Sequence, residues 1–220
     1  MMTSFKDYFV LNEMAYPTSF SFEDFDRINS YSQKLKYASD HLTRMGSGSS
    51  RVIFKIDEEK VLKVAKNIKG LAQNSTEQDY SIQNWHGDIV AKVFKIGEEV
   101  KNVGPFYLEM ELAKKLNPNR FKQLLGFSVQ DLELWLKNQA FLHKKSRYGS
   151  FIDPNLKESL DNNEFVGQLW DMIQNFAMAY PGDFGRINSY GEVLRNGIPT
   201  VVLVDFGLSE SVHLDYYAKS

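Results

Sequence analysis

Thr200-Val-Val-Leu-Val-Asp-Phe-Gly-Leu-Ser209 sets four consecutive apolar residues ahead of an acid and a glycine. Three of the four are β-branched valines, so the run reads as a short buried strand that Gly207 ends, with the Asp205 carboxylate at its lip. Upstream, Gly182-Asp-Phe-Gly-Arg-Ile-Asn188 follows a helical pattern that runs from Glu164 to about Ala179 and breaks at Pro181-Gly182. Phe165, Val166, Leu169, Ile173, Phe176 and Ala177 give that helix an apolar face. Between the two stretches, Tyr190 to Thr200 reads as a hairpin turning at Asn196-Gly197. The chain thus brings Asp183, Asn188 and Asp205 to the mouths of adjacent elements. Oxygen donors placed there suit Mg²⁺ and a polyphosphate, because this hard cation takes one or two carboxylates and completes its shell with phosphate oxygens.

The first half of the chain reads as sheet. Gly46-Ser-Gly-Ser-Ser50 leads into Arg51-Val-Ile-Phe-Lys-Ile56, a turn at Asp57-Glu-Glu-Lys60, and Val61-Leu-Lys-Val-Ala65, which together predict a hairpin. Glycines at its mouth allow backbone N–H groups to approach phosphate oxygens, although the same composition also makes a flexible linker. Strand alternation sets Lys63 with Val61 and Ala65, and Lys66 with Leu62 and Val64. Lys63 is favoured as the anion-binding lysine, because an ammonium inside an apolar strand requires a partner; a solvated lysine on an open sheet face is the alternative. Within Ile68–Trp85, Asn74-Ser-Thr-Glu77 offers a helix start and a carboxylate, whereas Glu98, Glu99 and Glu109 stand in sheet-like or turn contexts. Pro105 to Leu112 alternates like a strand, and Ala113-Lys-Lys-Leu-Asn-Pro118 turns away from it.

Five features stand in order over residues 46–212: glycine loop, strand lysine, helix glutamate, Asp183-x4-Asn188, and a strand running into Asp205-Phe-Gly. The set resembles the protein kinase-like superfamily. The resemblance implies an α+β, two-lobed fold: an amino-terminal extension and helix over 1–45, a small antiparallel-sheet lobe over 46–112, and a reduced helical lobe over 113–220. It implies ATP and Mg²⁺ as cofactors. Gly46, Ser47, Gly48, Ser49, Ser50 and Arg51 would cover the phosphates, with Arg51 replacing the loop's usual third glycine and offering a guanidinium to phosphate. Lys63 would hold the α- and β-phosphates with Glu77 orienting it, and backbone groups of Glu111 and Ala113 would hold adenine. Asp183 would accept the hydroxyl proton, and Asn188 and Asp205 would hold metal.

Departures from the family accompany these matches. Pro181 stands where the family usually shows histidine, and Gly185 replaces a lysine, leaving Arg186 to neutralise the transferring phosphate. With 15 residues after Asp205, neither an activation loop nor a terminal helical bundle is expected. An unknown protein or small-molecule hydroxyl is therefore the expected acceptor. The alternatives are a pseudokinase acting as a nucleotide-binding or interaction scaffold, and nucleotidyl transfer to protein by the same residues. Trp85-His-Gly-Asp88 has the His-Gly-Asp of aminoglycoside kinases, but Val93 stands five residues on instead of asparagine; it reads as a turn, with His86 a surface or satisfied histidine. The compact layout and Phe5-Lys-Asp-Tyr resemble kinase-like proteins of tailed bacteriophages.

The remaining expectations concern bulk properties and cover. Net charge of −2 gives no general attraction to nucleic acid or anionic lipid. The chain has no cysteine, hence no disulfide, thiolate site or thiol nucleophile. No run reaches the length of a membrane span, and the first residues lack the order of a signal peptide, so a cytoplasmic protein is expected. Residues 1–20 read as an extension in which Phe5, Phe9 and Val10 dock. Residues 22–44 read as one covering helix begun at Ser21, residues 121–138 as helix interrupted at Gly126, and residues 139–163 as a polar loop with a solvated Lys144-Lys-Ser-Arg147.

Overall fold

The computed structural model describes residues 19–82, 89–143, 151–180 and 182–218, and in it the stretch expected as a single helix is two. Ser21 caps α1 (Phe22–Asp26), accepting from the Asp24 amide at 3.2 Å. Ser30 caps α2 (Tyr31–His41) in the same way. The second serine offers the backbone an alternative to continued helix, which apolar spacing alone does not register. Thr43 and Arg44, the end of the expected helix, instead begin β1 (Thr43–Ser47).

β2 (Arg51–Lys55) and β3 (Lys60–Ala65) form the predicted hairpin. α3 (Ile68–Ile82) follows, starting a turn and a half before Asn74. After it come β4 (Val93–Ile96), the short β5 (Glu99–Val100) and β6 (Gly104–Pro105), and β7 (Tyr107–Glu111). The main sheet is antiparallel, in the order β1-β2-β3-β7-β4. Alternation divides its faces. Val52, Phe54, Leu62, Val64 and Tyr107 are buried in a cluster with Phe25, Ala38 and Leu42, so α1 and α2 cover this side. Complete burial of a side chain such as Phe54 stabilises by about 1.5–3 kcal/mol, which holds the helical pair on the sheet. The opposite face carries Arg51, Ile53, Val61 and Lys63.

The chain then crosses to its second half through β8 (Lys114–Lys115), α4 (Pro118–Leu125) and α5 (Val129–Leu142). Gly126, at φ 86°, ends α4, and a Ser128/Asp131 capping box starts α5, matching the expected interruption. The segment expected as a polar loop contains the end of α5 and α6 (Pro154–Asp161), whose cap, Asp153, accepts from the Asn155 and Leu156 amides. α7 (Glu164–Asn175) stops short of Ala179, because Ala177 takes φ 45°. Two 3₁₀ turns, Gly182–Gly185 and Ile187–Ser189, lead to β9 (Tyr190–Arg195) and β10 (Ile198–Leu203). Asn196 and Gly197 both have positive φ, 53° and 79°, as a tight hairpin turn requires. α8 (Glu210–Tyr216) closes the described chain; a helix there was not expected.

Leu132, Leu136, Leu169, Met172, Leu203 and Phe206 share a second cluster with Val61, Leu108 and Met110 of the main sheet. The Leu203 amide donates to Ile89 O at 2.7 Å, and the Ala91 amide donates to Leu203 O at 2.9 Å. These bonds tie the strand that Asp205 terminates to the segment leading into β4. The expectations for residues 1–18, for Trp85-His86-Gly87-Asp88, for Lys144 to Arg147 and for Pro181 lie outside the described residues.

Candidate active site

The open face of the β1-β2-β3 sheet, the 3₁₀ turns and the chain after β10 enclose a cavity of about 630 Å³. Its wall includes Gly46, Gly48, Ser49, Ser50, Arg51, Lys63, Glu111, Ala113, Asp183, Arg186, Asn188 and Asp205. Side chains more than a hundred residues apart in sequence therefore face one space. Ser47 and Glu77 are not part of the wall: Ser47 Oγ donates to Gly48 O at 3.3 Å, and Glu77 lies behind Lys63.

Gly46 and Ser47 belong to β1, so the glycine stretch is itself a hairpin whose turn is Gly48–Ser50. The Gly48 amide donates to Arg51 O at 2.9 Å. Lys66 Nζ donates to Gly48 O at 2.9 Å, Asn67 Nδ2 to Ser49 O at 3.2 Å, and Ser50 Oγ to Gln73 Oε1 at 2.5 Å. The carbonyls of this loop are thus fastened to the end of β3 and the start of α3. Lys66 serves that fastening, whereas Lys63 faces the cavity. Gly70 permits the approach: a Cβ there would lie 2.3 Å from Ser50 O.

Lys63 and Glu77 meet as the pattern predicts. Lys63 Nζ lies 3.0 Å from both Glu77 oxygens and 2.5 Å from Val204 O. Glu77 is fully buried and accepts a further bond from the Phe206 amide at 3.3 Å. Burial lowers the pKa of the Lys63 ammonium; Glu77 opposes that shift and the neighbouring Arg51 adds to it. Gly207 keeps α3 close, since a Cβ on it would stand 2.7 Å from Gln73 O.

Arg51 departs from its expected place. It lines the cavity from the start of β2 and not from the loop, with its side chain only 8% exposed. Nη1 lies 2.9 Å from Glu77 Oε1 and 3.4 Å from Asn74 Oδ1, and Nη2 lies 2.5 Å from Asp205 Oδ1. Asn74 is held in turn by donating to Pro105 O at 2.9 Å. The guanidinium is buried, yet the carboxylates of Glu77 and Asp205 hold its pKa above the ordinary arginine value. Lys63, Arg51, Glu77 and Asp205 therefore form one network of two cations and two carboxylates joining β2, β3, α3 and the end of β10.

Asp183 and Asn188 sit on successive 3₁₀ turns. Ser189 Oγ donates to Asp183 O at 2.7 Å, and the Tyr190 hydroxyl donates to Phe184 O at 2.6 Å, fixing the turn from below. Asp183 Oδ1 lies 3.0 Å from Arg186 Nη1. Burial raises the Asp183 pKa, the charge on Asp205 raises it further, and Arg186 and Arg51 partly oppose both. A carboxylate whose pKa is lifted this way is better suited to take a proton than an ordinary surface aspartate.

At the other end, Ile53, Val61, Ala91, Met110 and Leu112 make an apolar slot beside Glu111 and Ala113. The Glu111 amide donates to Lys92 O at 2.8 Å, and its carboxylate pairs with Arg195, so a base contact from Glu111 falls to its carbonyl. The sequence reading misses Met45, Gln73, Leu208, His213 and Tyr217, which also line the cavity. For Ile53 and Val61 a signal exists, their shared alternation with Lys63. For His213 and Tyr217 there is none, because α8, which carries His213 and ends just before Tyr217, has only seven residues, too short a pattern to read.

Asp205 and Asn188 have the donor chemistry that magnesium takes. Among the described residues no group of three or more histidine or acidic side chains forms a metal cage, so an ion here would rest on these two and on phosphate. Asp205 Oδ1, however, is engaged by Arg51, and as placed the residues do not fit the ion.

No protein-family model matches this sequence, and no curated relative matches it. Among solved structures, the chain is similar to the GDP and kanamycin complex of APH(2")-IIia, with 14% identity and a TM-score of 0.37 over 76% of this chain and 66% of that one. It is also similar to the GDP complex of wild-type aminoglycoside 2'-phosphotransferase-IIIa, with 13% identity and a TM-score of 0.39 over 82% and 73%. The chain thus spans about two thirds to three quarters of their lengths.

Proposed function

We propose that this cavity binds a nucleoside triphosphate, ATP, and that the protein transfers its γ-phosphoryl group to the hydroxyl of a protein or small molecule. The five-stranded sheet with α3 would be the nucleotide lobe, and the helices and hairpin after it a reduced second lobe. The observation that carries the reading is the convergence of the Lys63–Glu77 pair with Asp183, Asn188 and Asp205 on one cavity. Its volume of about 630 Å³ is within the range of small-molecule sites, and an apolar slot at one end with cations at the other suits a base and a polyphosphate. Lys63 holds phosphate oxygens, and Glu77 keeps its ammonium in place. The acceptor oxygen attacks the γ-phosphorus as the bond to the β–γ bridging oxygen breaks, the nucleoside diphosphate leaves, and the acceptor's proton passes to Asp183. Arg186, beside Asp183, offsets charge on the moving group.

A second reading, a nucleotide-binding scaffold with weak or no turnover, is favoured by the grip of Arg51 on Asp205. The two are separated by a thermal-shift titration with ATP followed by mass spectrometry of the protein and candidate acceptors. A raised midpoint with phosphoryl addition, lost in Asp183→Asn, supports transfer, and a raised midpoint without addition supports the scaffold. Addition of a nucleotidyl mass would point to the reversed nucleotide. An unmoved midpoint would end the nucleotide reading. Among the described residues no helix is long and apolar enough to cross a membrane, and nothing in the charge favours nucleic acid.

A further inference from the structure

We propose that Arg51 is a built-in cation at Asp205, occupying the place of a divalent ion, so that nucleotide binding in this cavity does not depend on magnesium. The inference rests on the nucleotide reading above and adds to it which charge serves the phosphates.

Three observations combine. First, Arg51 Nη2 is 2.5 Å from Asp205 Oδ1, a charge-assisted contact on the carboxylate that faces the cavity. Second, the guanidinium has no easy alternative. Its side chain is 8% exposed, Glu77 is already shared with Lys63, and Asn74 offers one neutral oxygen at 3.4 Å. Withdrawing Asp205 would leave a buried cation short of charge, which is costly in a protein interior. Third, the network is balanced, with Arg51 and Lys63 against Glu77 and Asp205. A divalent ion on Asp205 would add two positive charges beside two buried ones, and magnesium also gives up its water reluctantly. Because Arg51, Lys63 and Arg186 all line the cavity, a triphosphate meets positive charge there from the chain itself.

The position of Arg51 is held independently of any ligand. Ser50 is bonded to Gln73, Asn74 is bonded to Pro105 O, and Glu77 comes from the next turn of the same helix. Three residues on one stretch of α3 thus seat the loop end and its arginine, and Gly207 lets that stretch lie against the Asp205 segment.

Isothermal titration calorimetry with ATP as the probe tests the inference, in excess EDTA and in excess magnesium chloride. The expected result is an affinity of the intact protein that agrees within about threefold between the two buffers, while Arg51→Gln loses about tenfold or more in EDTA and regains it with magnesium. Binding of the intact protein only when magnesium is present overturns the inference and leaves the nucleotide reading standing. Binding in neither buffer removes both. Should Arg51→Gln fail to fold, a magnesium titration of the intact protein decides alone: an ATP affinity that stays within about threefold from EDTA to excess magnesium agrees with the inference, and one that rises about tenfold or more with magnesium overturns it.

Discussion

Glu77→Gln is the substitution on which the buried network makes its sharpest claim. Glu77 is fully buried and neutralises Lys63 at 3.0 Å and Arg51 at 2.9 Å, while also accepting from the Phe206 amide. The amide keeps the volume and removes the charge. It also turns an NH₂ toward side chains that are themselves donors only. Two cations, 5% and 8% exposed, would then share the half-exposed Asp205 as their carboxylate partner. Breaking a buried pair by removing one member costs about 3–5 kcal/mol. For a chain of 220 residues, where each kcal/mol moves the midpoint by about 2–4 °C, the loss is roughly 6–20 °C.

Thermal and urea denaturation followed by circular dichroism measure it, and the pH dependence adds a second reading. Without Glu77, burial and Arg51 press the folded-state pKa of Lys63 further below its unfolded value. The unfolded chain then binds more protons than the folded one between those two values, so the variant gains stability as pH rises through that window. The defect should therefore shrink toward alkaline pH. Adding Lys63→Met to Glu77→Gln should recover part of the loss, since one of the two unpaired cations is gone. A loss below about 1 kcal/mol, smaller than a buried pair allows, would refute the network as the support of this site.

Two further substitutions probe the parts around it. Gly207→Ala puts a methyl group 2.7 Å from Gln73 O and should destabilise by about 1–3 kcal/mol in a urea titration; an unchanged midpoint would mean that α3 does not press on the Asp205 segment. Asp183→Asn should abolish phosphoryl transfer and also change stability with a definite sign. The Asp183 pKa is raised in the folded state, so the folded chain binds more protons within the window and stability falls as pH rises through it. The variant should be the more stable of the two near neutrality, with the gap closing below the usual carboxylate range, and the opposite trend would contradict the burial of that carboxyl.

Much of this arrangement is legible in local pattern. The β-branched run before Asp205, the Asn-Gly turn of the β9–β10 hairpin and the alternation that separates Lys63 from Leu62 and Val64 all follow from the two-residue repeat of a strand and the few turns that can join two strands. So does the contact of Lys63 with a glutamate one helix away, since a lysine buried in a strand needs an anion and Glu77 is carried on the helix that follows. What the tertiary structure decided is which charges meet when several choices exist. Arg51 looks like a loop residue that could reach phosphate, yet its partner is a carboxylate 154 positions away, brought there by the packing of β10 against residues 89–91. The arrival of His213 and Tyr217 at the cavity has the same origin. Periodicity states which face a side chain takes; only the folded chain states what stands opposite it.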